Sequence, residues 1–128
     1  MRYLLDTCTF IWLALPQGRL SPVAQSIIND PANELYLSDV SVWEICLKQT
    51  AGKLPLPDDP RMWLPSRLSF FQLTTLPLTH DSYFRSGELP PVHADPFDRL
   101  LAAHAMEERM ILLSPDEPLS RLGASRMW

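Results

Sequence analysis

Four short apolar runs punctuate the chain, at residues 2–5, 34–37, 110–113 and within 72–78, and segments of helical spacing separate them. Runs of this length suit buried strands better than buried helices. Strands separated by helices rather than by hairpin turns must be joined by crossovers, which predicts an α/β fold with a mainly parallel sheet. The helical segments carry their own punctuation. Residues 9–15 are apolar nearly all round and stop at Pro16-Gln17-Gly18. Ser21-Pro22 supplies a helix N-cap and a proline for the first helical position, and Val23, Ile27 and Ile28 mark the face that follows. Residues 38–50 form a helix that Gly52 ends. Its apolar positions Val40, Trp43, Leu47, Val42, Ile45 and Cys46 leave little polar face, so much of it is expected to be buried. Further helices are expected at 60–70, 79–86 and 96–108, and a fifth short strand at 126–128. Proline, at 13 residues, clusters between these elements.

The 128 residues read as one domain spanning 1–128, with no repeat or linker to divide them. A chain of this length buries roughly two-thirds of its unfolded surface, enough for a core without staples. Cys8 and Cys46 alone cannot form a disulfide framework or a zinc site. No apolar run approaches the roughly 20 residues of a membrane span or resembles a signal segment, so a soluble, cytoplasmic protein is expected. With 11 basic against 15 acidic residues the net charge is −4, which excludes a strongly basic nucleic-acid footprint. Binding to nucleic acid would need metal ions or local basic patches.

In parallel α/β sheets ligands bind beyond the carboxyl ends of the strands, and four acids belong there. Asp6 follows the first strand and Asp116 follows the fourth; Glu44 lies about two turns into the helix after strand two, and Asp98 in the first turn of the helix that starts at Pro96. Hard divalent cations take oxygen ligands. Converging carboxylates could hold one or two such ions, which activate water and neutralise phosphodiester charge. Each acid also has a plainer explanation. Asp6 could be a turn or N-cap residue, Asp98 could answer the helix dipole, and Asp116 could cap a short helix near Pro118. Glu44 is harder to explain away, because an ionised Glu on a largely buried helix is costly unless paired or metal-bound.

Four segments, in order, carry a resemblance: Tyr3-Leu4-Leu5-Asp6-Thr7, Ser41-Val42-Trp43-Glu44-Ile45, Asp95-Pro96-Phe97-Asp98-Arg99-Leu100-Leu101-Ala102-Ala103 and Leu113-Ser114-Pro115-Asp116. Together they closely resemble the PIN-domain family, and within it the VapC-type toxins of bacterial toxin–antitoxin pairs. Asp-Pro-Phe-Asp-Arg and Gly52-Lys53-Leu54 are typical of one branch of these toxins. The resemblance implies a three-layer α/β/α sandwich with four or five strands. It also implies a Mg²⁺- or Mn²⁺-dependent endoribonuclease, a cognate antitoxin and a homodimer. The family's acids fall on Asp6, Glu44, Asp98 and Asp116. Asp98 matches the third acid better than Asp95, because it opens the Asp-Arg-Leu-Leu-Ala-Ala stretch; Asp95 is left as an outer partner or a helix cap. Many relatives have His where this chain has Cys8, to which no catalytic role is given.

The expected activity is cleavage of single-stranded or loop RNA by metal-activated water. Asp6 and Asp98 are the first-choice ligands, with Asp116 and Glu44 as further ligands or as the base that orients water. Ser114, Asp95, Lys48 and Arg99 are supporting candidates: Ser114 to orient Asp116 or a metal water, Lys48 to neutralise the acids or touch phosphate, Arg99 to contact RNA or antitoxin. His93 reads first as a solvated loop residue, with a functional role as the lesser alternative, and His104 and His80 receive no role. Trp12, Trp43, Met62 and Trp63 are the expected apolar surface for an antitoxin. Two alternatives stay open: a PIN-like protein that binds RNA or a partner without catalysis, and a phosphate-transfer α/β domain.

Overall fold

A computed structural model describes residues 1–128. The chain runs β1 (Arg2–Leu5), α1 (Thr7–Ala14), α2 (Pro22–Asn29), β2 (Glu34–Ser38), α3 (Asp39–Thr50), α4 (Pro60–Phe70), β3 (Leu73–Leu76), α5 (His80–Glu88), α6 (Pro96–Glu107), β4 (Ile111–Leu113), α7 (Pro118–Arg121) and β5 (Arg126–Met127). The five strands form one sheet in the order β3-β2-β1-β4-β5. Every pairing is parallel, including the short last strand, with Leu4 opposite both Tyr36 and Leu112. No helix is long and apolar enough to cross a membrane.

Strand side chains alternate between faces, and β1 shows what that does here. Tyr3 and Leu5 point into a core with Phe10, Ile11, Ala24, Ile27, Trp63 and Leu64, so α1, α2 and α4 cover one face. Leu4 points the other way, to Leu101, Ala102, Ala105 and Leu119 of α6 and α7, with α5 packed against α6. These are the three layers expected. The small Ala102, Ala103 and Ala105, all buried, let α6 lie close to the sheet.

The helix starts follow local chemistry. Asp6, Ser21, Ser38, Asp59 and Asp95 each accept a backbone N–H from the first turn they precede. Gly52, at φ +73°, takes the left-handed turn that stops α3.

Three expectations need correction. Helix α3 is not largely buried: only Val40, Ser41 and Ile45 are, while Trp43 is 57% exposed and Cys46 and Leu47 face solvent. The helix lies across the end of the sheet, giving Ile45 and part of Val42 to one core and Val40 to the other, while Trp43, Cys46 and Leu47 find no layer to enter. On α2 the inward residues are Ala24 and Ile27, and Val23 is exposed. The expected four-residue apolar surface also divides. Trp63 is core, edge-on to Phe10, and Trp12 packs against Trp128 beneath the Arg19 guanidinium. Of the four, Trp43 and Met62 are the exposed ones.

Candidate metal centre

The strand order reverses at β1. The chain leaves β1 for β2 and β3 on one side, then returns to place β4 on the other. A crevice opens at such a switch point, beyond the carboxyl ends of the two strands. Here it is a cleft of about 200 Å³ lined by Asp6, Thr7, Cys8, Glu44, Lys48, Asp95, Asp98 and Asp116. All four acids of the sequence reading line it, and so do Lys48 and Asp95.

Asp6 forms the floor. It is 4% exposed and caps α1, its Oδ1 accepting the Thr9 N–H at 2.7 Å. The Ser114 hydroxyl donates to its Oδ2, and the Cys8 thiol leans on the carboxylate at 3.3 Å from Oδ1. Burial holds its carboxyl above the usual carboxylate range, against the pull of the Ser114, Thr9 and Cys8 donors. The same Ser114 oxygen accepts the Asp116 N–H at 3.0 Å. One hydroxyl therefore links the acid after β1 to the acid after β4. Asp116 is exposed and does not cap α7, whose N-cap residue is Glu117. Ligand atoms of Asp6, Cys8 and Asp116 lie within 4.8 Å of one another.

Glu44 and Lys48, one turn apart on α3, form an ion pair at 3.1 Å. Glu44 is thus partly exposed and paired at the cleft wall, rather than isolated in a buried helix. Behind it, the Thr7 hydroxyl donates to Ser41 Oγ at 2.9 Å and ties α1 to α3. On the opposite wall, His93 Nε2 meets Asp98 Oδ2 at 2.8 Å. Burial raises the Asp98 carboxyl, and the His93 hydrogen bond opposes it. Asp95 caps α6 through the N–H groups of Phe97 and Asp98.

Arg99 does not line the cleft. Its guanidinium donates to the carbonyls of Ser86, Leu89, Pro90 and His93, which occupies it within the protein. Cys8 does line the cleft, but burial, then the neighbouring Asp6, push its thiol up, so it stays protonated. Sequence reasoning missed His93. The nearest signal is the Pro90-Pro91 pair that stiffens its approach to Asp95-Pro96.

The donors facing the cleft are mainly carboxylate oxygens, the set that suits a hard divalent cation such as Mg²⁺ or Mn²⁺. The arrangement offers no nucleophile beside a base: the Ser114 hydroxyl is spent on Asp6, and Cys8 is a thiol.

A model of the PIN domain family matches residues 3–124. Ribonuclease VapC16 of Mycobacterium tuberculosis (strain ATCC 25618 / H37Rv) is 35% identical over 57 residues, a stretch spanning 44% of this chain and 39% of that relative. Among solved structures, VapBC2 from Rickettsia felis, bound to a DNA fragment from its promoter, aligns with a TM-score of 0.73. It is 17% identical and covers 99% of this chain and 98% of its own. FitAcB from Neisseria gonorrhoeae aligns with a TM-score of 0.67 at 19% identity, over 98% of this chain and 96% of its own. At these identities the structures establish the shared fold.

Proposed function

Because the chain belongs to the PIN domain family, we propose that it is a Mg²⁺- or Mn²⁺-dependent endoribonuclease that cuts single-stranded or loop RNA. The observation that carries this reading is the meeting of Asp6, Glu44, Asp98 and Asp116 in one cleft at the switch point of the sheet. Asp6, Asp98 and Asp116 would hold the ion, with Glu44 as a further ligand or base. When bound, the metal lowers the pKa of a water and offsets the charge developing on the phosphodiester.

The protein's own groups divide the remaining work. Ser114 fixes the rotation of the Asp6 carboxylate and, through its backbone partner, the approach of Asp116. Glu44, paired with Lys48, would accept the proton of the attacking water. Lys48, about half exposed at the cleft wall, supplies positive charge to the incoming phosphate in a protein whose net charge is −4. Hydrolysis is direct, with no covalent intermediate, for want of a free nucleophile.

The resemblance to part of Ribonuclease VapC16 and to a chain solved from the VapBC family of toxin–antitoxin systems supports a toxin role, and the cytoplasm is the proposed place of action. The partners proposed are a small antitoxin protein and a second copy of the chain. Purified protein should cleave RNA with Mn²⁺ and stop with EDTA. Expression alone should slow growth, and co-expression with a neighbouring small open reading frame should restore it. Undiminished cleavage by metal-stripped protein would overturn the metal mechanism.

A further inference from the structure

Asp98 differs from Asp116 in one respect that bears on which ion it serves. Asp116 is exposed, whereas Asp98 is half-buried and has one oxygen, Oδ2, engaged by His93 Nε2 at 2.8 Å. His93 sits in the loop of residues 89–95, and Arg99 holds that loop. Its guanidinium donates to Ser86 O at 2.9 Å, Leu89 O at 2.9 Å, Pro90 O at 2.8 Å and His93 O at 3.1 Å. The circuit closes on itself. Helix α6 reaches out with residue 99 to fix the loop, and the loop reaches back with residue 93 to fix residue 98. Pro90, Pro91 and Pro96, together with the Asp95 cap, remove much of the backbone freedom that would let this circuit open.

We propose that His93 is a positioning residue that makes Asp98 a one-oxygen donor and so biases the cleft toward small octahedral ions, Mn²⁺ and Mg²⁺, over Ca²⁺. This rests on the reading of the cleft as a metal centre. Calcium takes more ligands at longer distances and favours carboxylates that offer both oxygens; magnesium demands compact octahedral geometry and uses few carboxylates. An N–H donor on Oδ2 fixes the carboxylate plane and competes with two-oxygen ligation. Asp6 is engaged more fully, with Thr9 N–H on Oδ1 and the Ser114 hydroxyl on Oδ2, so it too is held in one orientation with both oxygens contested, which disfavours two-oxygen ligation. Partners that orient metal ligands in this way are commonly worth about 10- to 100-fold in affinity.

The test is ion binding without RNA. Mn²⁺ is titrated by electron paramagnetic resonance, and Ca²⁺ by its competition with Mn²⁺, on the wild type, His93→Ala, His93→Gln and Arg99→Lys. His93→Ala should weaken Mn²⁺ about tenfold and Ca²⁺ much less, so the Mn²⁺/Ca²⁺ preference collapses. His93→Gln keeps an N–H donor and should recover part of the preference. Arg99→Lys, which cannot span four carbonyls, should lower it without touching the carboxylate. A His93→Ala protein that retains the wild-type ratio, whether both affinities hold or both fall together, would overturn the proposal while leaving the metal centre intact. No Mn²⁺ binding by the wild type would overturn both.

Discussion

Two polar junctions sit at the carboxyl ends of this sheet, and they have opposite characters. At the β2–β3 side, His104 of α6 is fully buried. Its Nδ1 lies 2.8 Å from Ser38 Oγ and its Nε2 lies 3.1 Å from Pro77 O; Ser38 Oγ also accepts the Val40 N–H. Each polar atom there has a neutral partner, and the junction is closed. At the β1–β4 side, Asp6, Ser114 and Asp116 are also linked through one hydroxyl, but the junction opens to a cleft walled by Glu44, Asp95 and Asp98. Position in the fold is nearly the same. What differs is charge: the closed junction pairs a buried ring with neutral partners, whereas the open one gathers several carboxylates around one cleft. The topology explains why: β1 and β4 flank the reversal in strand order, whereas β2 and β3 are neighbours joined by a crossover.

The largest effect that separates the two junctions is on cleavage. Asp98→Asn should reduce RNA cleavage by more than about 100-fold, beyond the usual cost of losing an outer partner of a metal ligand. Asp95→Asn should have a much smaller effect, because Asn caps a helix as well as Asp does and Asp95 already spends an oxygen on the N–H groups of Phe97 and Asp98. Single-turnover cleavage rates at saturating Mn²⁺ measure both. The reverse order would exchange the two residues' roles. His104→Leu should leave these rates within a fewfold of wild type.

The closed junction shows itself in stability. His104→Leu leaves the buried Ser38 hydroxyl without its ring acceptor, although its oxygen keeps the Val40 N–H, and a buried group left unsatisfied in this way costs about 1–3 kcal/mol; Pro77 O, on an exposed residue, can turn to water instead. A loss of about 1–3 kcal/mol in urea unfolding is expected, with Mn²⁺ binding retained by the folded fraction. The pH dependence carries a second signature. Burial lowers the His104 pKa from its ordinary 6.5, so the unfolded chain takes up a proton first as pH falls. The stability associated with the neutral ring is fully present above 6.5 and is lost as pH drops through that value toward the lower folded one. Wild type should therefore lose stability on going from pH 7.5 to 5.5 by more than His104→Leu does. Parallel curves for the two proteins would mean that the buried ring does not titrate differently in the folded state.

The open junction could be read from the sequence and the closed one could not. Asp6, Glu44, Asp98 and Asp116 stand out because ionisable side chains at strand ends or helix starts demand an explanation, and the short runs around them fix where strands end. His104 offers no such contrast: it lies among Leu100, Leu101, Ala103 and Ala105 at helical spacing, and its two partners come from residues 66 and 27 positions away. The same limit hid the engagement of Arg99. A charged residue beside an acid looks available for a ligand, and only the path of the chain from the end of α5 through the loop before α6 reveals the four carbonyls that engage it. Strand and helix positions were legible because they depend on local spacing. The exposure of Trp43 and Leu47 was not, since it depends on α3 crossing the sheet's end instead of lying on a face.

The smallest expected effect asks whether the open junction costs stability when no cation is present. Burial raises the Asp6 carboxyl above the ordinary 3.8 despite its three donors. Between the unfolded and the folded value the folded state holds the extra proton, so metal-free stability falls as pH climbs through that interval and the full cost is present above it. Asn at this position still caps α1 through its carbonyl oxygen and carries no charge into the interior. Metal-free Asp6→Asn should therefore be the more stable protein at pH 7.5, by about 1 kcal/mol, the order of gain available where a residue is kept for activity. A divalent ion binds the folded cleft and not the dispersed acids of the unfolded chain, so it stabilises wild type by mass action and does less for the variant. Thermal melts in EDTA and in excess Mn²⁺ would then rank the two proteins in opposite orders. Identical melting temperatures in EDTA, with identical Mn²⁺ shifts, would make Asp6 a helix cap and nothing more. The β1–β4 junction would then be as self-sufficient as the one His104 closes.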